Sequence, residues 1–186
     1  MNFTDGTNKE IIQSVFPDCV NHVTLEGKVE AMPIFDYFAT HFSLHVAVLT
    51  PRVMINFLEH CLSHTKEYYH KNPNERVMRN YRKQFPLFKR DAFSLGYKDL
   101  QNDMWETIIK HSGDWTRWVT ILKKKKSNHV MSYKQIRKML NAENDTELQQ
   151  FLSFLRHNGV LNCENAEQPP DHRNYSLPIL FKEVAL

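Results

Sequence analysis

The sequence predicts a mainly α-helical protein whose C-terminal part ends in two helices and a β-hairpin. From Ser132 onward, apolar residues recur at helical spacing in two successive segments separated by a polar turn. Gly159 follows the second segment, and a glycine there can take the left-handed backbone that ends a helix. Two short runs with strand character, residues 160–163 and 175–180, then flank a polar, proline-containing loop. With 186 residues and 41% hydrophobic content, the chain can form one large or two small domains.

The first part, residues 1–112, is predicted to be a helical domain. Residues 11–16 can end a short helix that Pro17 stops, and residues 20–30 have some strand character. Pro33 suits the first turn of a helix that runs through Phe42. Its spacing predicts that this helix buries Ile34, Phe35 and Phe38.

Two further helices and a connector complete this first part. Thr50-Pro51 is a strong helix start, because an N-cap residue precedes a proline. The helix that follows has one apolar face, formed by Met54, Phe57, Leu58, Cys61 and Leu62. Asn74 can begin another helix, which Pro86 ends. Residues 87–97 are interpreted as a connector with a turn at Gly96, and Leu100 to His111 as the last helix before the boundary at Gly113.

The second part, residues 113–186, has the element order of a known DNA-binding architecture. Residues 115–124 supply a first helix through Trp118, Val119 and Leu122. Ser132 can cap the next helix, and Asn144 or Asp145 can cap the one after it. This order, three helices followed by a β-hairpin, resembles that of a winged helix. A winged helix is a helix-turn-helix variant in which the hairpin is the wing. The resemblance predicts a winged-helix domain here.

The composition of the chain limits which cellular compartment and which kinds of partner are expected. No apolar run approaches the length of a membrane span, and the N-terminus does not look like a signal peptide. Three well-separated cysteines, Cys19, Cys61 and Cys163, suggest a reducing cytoplasm without a disulfide framework. The net charge of +3 comes entirely from residues 113–186, which is weaker than the charge of a dedicated nucleic-acid binder.

One stretch resembles part of an ATPase. Residues 48–62, with Thr50, Pro51 and Arg52, look like the lid-region helix of AAA/STAND-type P-loop ATPases. In such ATPases a helical lid is often followed by a winged helix, which implies a lid-like role for residues 1–112. The resemblance makes Arg52 a sensor-like arginine toward nucleotide, if an ATPase core accompanies the chain. No G-x-x-x-x-G-K-[ST] motif occurs, so this chain is not expected to hydrolyse ATP or bind a cofactor by itself.

A metal-dependent nuclease is the enzymatic alternative. Asp18, Glu26 and Lys28 fit the spelling PD…ExK, with Glu10 upstream. Such sites use carboxylates to bind Mg²⁺ and a lysine to orient water. However, the chain lacks the alternating strands that this fold needs.

Two histidine pairs also have helical spacing. His41/His45 and His60/His64 are each four residues apart, a spacing that can chelate zinc. A solvated helix face explains the second pair equally well, and no third ligand is evident. No metal site is therefore predicted.

The sequence therefore favours a non-catalytic module of a larger ATP-driven assembly that binds DNA mainly through phosphates. Basic residues are interleaved with tyrosine and phenylalanine in residues 66–98, and four lysines follow one another at residues 123–126. Solvated helix faces are the alternative explanation of both features. The predicted contacts are Arg76, Arg79, Arg82, Lys83, Lys123, Lys124, Lys125, Lys126, Lys134, Arg137, Gln149 and Gln150.

A protein-interaction function is the main alternative. In that case the winged helix would contact a partner protein, an ATPase core among them, or a second copy of the chain. The helix beginning near Asp145 is acidic in its first turn, and the wing from Glu164 to Arg173 is net acidic. We therefore expect DNA contact to come chiefly from the helices before it.

Overall fold

A computed structural model describes residues 14–24, 28–42, 51–76, 86–125 and 130–182. Over these residues the protein is mainly helical with two small antiparallel sheets, which confirms the predicted class. The chain divides into two compact units. The described residues up to Leu100 belong to the first unit and those from Gln101 onward to the second, so the division falls inside a helix. The boundary predicted at Gly113 stays a prediction.

A β-hairpin and helices form the first unit. Strand β1 (Cys19–Val23) pairs with β2 (Val29–Pro33), which confirms the strand character of this segment. Helix α1 (Ile34–Phe42) follows directly, and α2 (Pro51–Lys71) has 21 residues. Helix α3 (Asp91–His111) begins in this unit and continues into the second.

The core of the first unit is mostly aromatic. Helix α2 buries one residue every four, at Val53, Phe57, Cys61, Thr65 and Tyr69. Its predicted apolar face is confirmed at Phe57 and Cys61, whereas the other three predicted members are half-buried. Rings from α1, α2 and α3 meet around Phe57, with Tyr37, Phe38, Phe42, Phe93 and Tyr97 as its neighbours.

The burial predicted for Phe35 is wrong. Ile34 is buried and Phe38 half-buried as expected, but Phe35 is 59% exposed. Because a helix turns 100° per residue, Ile34, Tyr37 and His41 share the buried side of α1. Phe35 lies outside that arc and points into solvent.

The turn predicted at Gly96 is also wrong, because residues 91–97 of the supposed connector are the beginning of α3. A β-carbon on Gly96 would lie 2.7 Å from Cys61 Sγ and 2.9 Å from the Cys61 backbone nitrogen. Glycine is present here because α2 and α3 approach each other too closely for any side chain.

Replacing Gly96 with alanine is therefore expected to destabilise the protein, although alanine is the better helix former. The propensity gain is about 1 kcal/mol, whereas forcing α2 and α3 apart costs about 1–3 kcal/mol. Urea unfolding of Gly96→Ala beside Leu95→Ala, an exposed neighbour in the same helix, measures the difference. A stabilised Gly96→Ala variant would show that the two helices can separate at no cost.

The helix predicted to begin at Asn74 is described only at its start. Residues 73–76 are helical, and Arg76 is exposed. The predicted contacts Arg79, Arg82 and Lys83 lie outside the described residues.

In the second unit, three helices and a three-stranded sheet follow α3. Helix α4 (Thr116–Lys125) precedes β3 (Met131–Ser132), α5 (Tyr133–Leu140) and α6 (Asp145–His157). Strands β4 (Asn162–Glu164) and β5 (Asn174–Ser176) form an antiparallel hairpin. The two-residue strand β3 pairs with β5, which gives the sheet order β3-β5-β4.

Local side-chain chemistry sets the ends of these helices. The Ser132 hydroxyl accepts from the Gln135 N–H, and Gln135 Oε1 accepts from the Ser132 N–H, which completes a capping box on α5. The side chain of Asn144 accepts from two backbone N–H groups at the start of α6. Gly159 has φ +68, so its predicted left-handed conformation is confirmed.

The core of the second unit follows the predicted periodicity. The apolar positions of α6 predicted from spacing, Leu148, Phe151, Leu152 and Leu155, are all buried. Trp105 of α3 is fully buried and contacts Phe181 edge to face. Trp115 and Trp118 contact Phe151, so the segment at the start of α4 packs on α6.

Candidate nucleic-acid interface

Helix α6 presents a polar face to solvent. Its buried residues lie on one side, so the residues on the opposite side are exposed at a spacing of three or four. Amides, hydroxyls and an imidazole occupy that side, without a carboxylate after the first turn. We call Thr146, Gln149, Gln150, Ser153 and His157 the α6 face.

One of the two acidic residues in the first turn of α6, Asp145, is paired with neighbouring side chains. Asp145 Oδ1 lies 3.3 Å from Arg137 Nη1 and accepts a hydrogen bond of 3.0 Å from the Tyr133 hydroxyl. Gln149 is hydrogen-bonded to the same hydroxyl. Arg137 also donates to the backbone carbonyls of Ala142 and Glu143. Arg137, a predicted DNA contact, therefore stabilises the turn between α5 and α6 and removes a repulsive charge there.

The lysines of the second unit divide into paired and exposed groups. Lys123 Nζ lies 2.6 Å from Glu106 Oε1, and only 25% of its side chain is exposed. Lys124 and Lys125 are exposed in the last turn of α4, whereas Lys126 lies outside the described residues. Lys134 and Lys138 are exposed on α5. Apart from Lys110 on α3, the exposed lysines described in this unit thus lie on α4 and α5, the two helices whose residues contact α6.

The loop between β4 and β5 has the opposite charge. Glu164, Glu167 and Asp171 are all exposed. Arg173 donates from Nε to the Gln168 carbonyl at 2.7 Å, so its guanidinium stabilises the loop. A phosphate backbone would be repelled by this loop and attracted by the lysines of α4 and α5.

Comparison with known proteins gives no family for this arrangement. No protein-family model, curated protein or solved structure matched the chain. Helices α2 and α3 are each 21 residues long, but among the described residues no helix is both long and apolar enough to cross a membrane. The interpretation of the site therefore depends on its own residues.

In the first unit, several basic residues of the aromatic stretch at residues 66–98 are already paired. Lys89 Nζ lies 3.0 Å from Glu75 Oε2 and 4.1 Å from the centre of the Tyr68 ring. Lys71 Nζ lies 2.6 Å from Glu67 Oε1. These contacts explain part of the predicted basic surface as local ion pairs and a cation–π contact.

Two other predicted residues of this unit are exposed. Arg76 lies at the end of the described helical turn at residues 73–76, and Arg52 lies in the first turn of α2. The role of Arg52 toward a nucleotide stays a prediction.

The hairpin separates the described members of the nuclease set. Ile34 donates to the Asp18 carbonyl at one end of the ladder, and Thr24 donates to the Lys28 carbonyl at the other. Six residues of strand separate these rows, which is about 20 Å. Asp18 and Lys28 therefore do not share one site, and Glu10 and Glu26 lie outside the described residues.

The histidines of the predicted pairs have other surroundings. His41 is buried against the Tyr37 ring, and His45 lies outside the described residues. His64 Nε2 lies 2.6 Å from Asp99 Oδ2, and His60 is half-buried. The described part of the chain contains no group of three or more side chains that could hold a metal ion.

Cys61 cannot act as a nucleophile beside His64 and Asp99. The thiol is fully buried, and burial raises its pKa far above the usual range. A thiol that stays protonated is a poor nucleophile. Cys61 is part of the core, whereas the side chains of His64 and Asp99 are 24% and 42% exposed.

Two features were missed by sequence reasoning. The α6 face includes Thr146, Ser153 and His157, which could have been found by extending the spacing of Gln149 and Gln150. The group formed by half-buried His22 and buried Tyr37, His41 and Tyr97 had no local signal, because it joins β1, α1 and α3.

Proposed function

We propose that the second unit is a winged-helix module that binds duplex DNA, with α6 in the major groove and lysines of α4 and α5 on phosphates. The α6 face is the observation that carries this proposal. The element order supports the winged-helix assignment. So does the hairpin that follows α6, because the short strand β3 pairs with it. In the larger assembly that the ATPase resemblance implies, this unit would supply DNA contact to a separate ATPase core.

The chemistry of the α6 face suits base edges. Glutamine can pair with both N6 and N7 of adenine, and serine and threonine can donate to or accept from any base edge. Gln150 and Ser153 are one helical turn apart, so both can face the same groove. A protein-binding helix would instead be expected to expose apolar anchors at this spacing.

Phosphate contact is assigned to Lys124, Lys125, Lys134 and Lys138. All four are exposed on α4 and α5, the two helices whose residues contact α6. Four released counterions correspond to a slope of about −3 to −4 in a plot of log affinity against log salt. Because the β4–β5 loop is acidic, we assign the DNA contact to the helices. The wing is proposed to lie away from the phosphate backbone of the DNA.

Fluorescence anisotropy with a duplex of about two helical turns tests the proposal. The full chain is expected to bind with a dissociation constant of about 1–100 μM near physiological salt, weakening at the stated slope. Replacing Lys124 and Lys125 together by glutamate is expected to reduce the slope by about two and the affinity by roughly tenfold or more.

Lys110→Glu is the matched control, because Lys110 is an exposed helical lysine of the same unit outside the proposed surface. Because the control changes half as much charge, a loss in log affinity about half that of the double variant would mean that the effect comes from net charge alone. Absence of binding at low salt would rule out the DNA function. If light scattering then shows a dimer that depends on the α6 face, the protein-interaction alternative replaces it.

A further inference from the structure

The backbone of β2 has an open edge whose polar groups can be assigned. Ile34 donates to the Asp18 carbonyl at one end of the hairpin, and Thr24 donates to the Lys28 carbonyl at the other. In the register of the hairpin, both ends therefore assign the hydrogen-bonded pairs to the even-numbered residues. In an antiparallel ladder such pairs alternate. The N–H and C=O groups of Val29 and Ala31, and the carbonyl of Pro33, therefore point away from β1.

This edge is exposed, and three of its four exposed residues are apolar. Val29 is 66% exposed, and Glu30, Ala31 and Pro33 are also exposed. In the described part of the chain no third strand joins this sheet. Pro33 occupies an outward row, where its missing N–H costs no bond to β1. Native proteins usually protect such an edge, because unpaired strand groups bind other strands.

We propose that this edge pairs with β2 of a second copy of the chain, antiparallel and with Ala31 opposite Ala31 on a two-fold axis. Each Ala31 N–H then donates to the carbonyl of the other Ala31, and each Val29 N–H donates to a Pro33 carbonyl. Every outward N–H of β2 receives an acceptor.

Side chains select this register. It places Val29 opposite Pro33, which pairs apolar residues, and Glu30 opposite Met32. One neighbouring register that also aligns outward groups would place Glu30 opposite Glu30, and like charges directly opposite are destabilising. The other would place Met32 opposite Met32 and leave the outward N–H of Val29 without an acceptor. Because Pro33 has no N–H, the residue opposite it can donate to the Pro33 carbonyl, but its own carbonyl receives no donor. In the two-fold pairing that residue is Val29, which is 66% exposed, so its carbonyl can stay hydrated, and the same match occurs twice by symmetry.

The pairing is expected to be weak, because five residues of strand bury much less than the roughly 800 Å² per partner of a standard interface. Disulfide trapping can detect it. Opposite residues in a hydrogen-bonded antiparallel row have Cα atoms about 5.5 Å apart, within disulfide range. Ala31→Cys, in a chain with Cys19→Ser and Cys163→Ser, is expected to cross-link into a dimer under mild oxidation. Cys61 is buried and can stay.

Val29→Cys in the same background is the matched control. Its two copies would be separated by four residues of strand, about 13 Å, and should not cross-link. In light scattering, Ala31→Pro should abolish concentration-dependent dimerisation, because it removes the central N–H without touching a bond to β1. Ala31→Thr, which keeps that N–H, should leave the dimer intact.

Equal cross-linking at positions 31 and 29 would overturn the register. No cross-linking at position 31, with a monomer at the highest concentration, would overturn the pairing itself. Neither result depends on DNA binding by the second unit, so the two proposals are tested separately.

Discussion

Phe57→Ala is expected to lower the free energy of unfolding by about 3–5 kcal/mol. Phe57 is fully buried, and its ring centre lies 4.8 Å from that of Phe42 and 5.8 Å from that of Phe93. Truncation removes the ring on which three helices meet and leaves a cavity that their backbones cannot close. Since domains are stable by about 5–15 kcal/mol, this loss is a large share of the total.

Phe35→Ala is the matched control for this prediction. It removes the same atoms from an exposed position of α1 and should change stability by less than about 0.5 kcal/mol. Urea unfolding followed by far-ultraviolet circular dichroism compares the two variants. Similar losses would mean that Phe35 is buried in solution and that the assigned face of α1 is incorrect.

Mild acid is expected to destabilise the protein through His41. Its Nδ1 is 3.0 Å from the Tyr37 carbonyl, which accepts a hydrogen bond from the neutral ring. Burial, opposed by the hydrogen bond to the Tyr37 carbonyl and assisted by nearby His22, lowers the pKa of His41 to about 4. The unfolded chain has a histidine pKa of about 6.5. Below that pH the histidine is protonated in the unfolded state but stays neutral in the folded state. The free energy of unfolding therefore falls as pH decreases toward 4.

The expected loss is about 2 kcal/mol between neutral pH and about pH 4.5. His41→Phe keeps a ring against Tyr37 but cannot titrate, so its stability should decline less over this range. His22 responds in the same direction, because burial lowers its pKa while Glu30 opposes the shift. Unfolding free energies of both proteins across this range provide the measurement. Parallel pH profiles would show that His41 is accessible to protons when folded.

Sequence reasoning predicted the second unit better than the first for a physical reason. The helix starts at Ser132 and Asn144 and the buried stripe of α6 depend on residues within one or two turns. Strand β3 has only two residues and exists because Met131 pairs with Tyr175, far along the chain. At Gly96 the local preference of glycine for turns was overridden by the approach of Cys61 from another helix.

The candidate site was predicted by residue type more accurately than by role. Gln149 and Gln150 lie on the exposed side of α6 as the spacing required. Lys123 and Arg137 were expected to meet phosphates, yet Glu106 and Asp145 pair with them. Such partners lie 17 and 8 residues away and are brought close only by packing, so charge counting along the chain could not assign them.

The most direct test of the DNA proposal is a titration of the labelled protein with duplex DNA, followed by amide NMR. The side-chain amide signals of Gln150 and the backbone signals of residues 146–157 are expected to shift first. Gln101, whose side chain donates to the Lys182 carbonyl, is an internal reference that should not move. Shifts confined to the β-hairpin of the first unit, or no shifts at low salt, would contradict the assignment of α6 as the helix that contacts DNA.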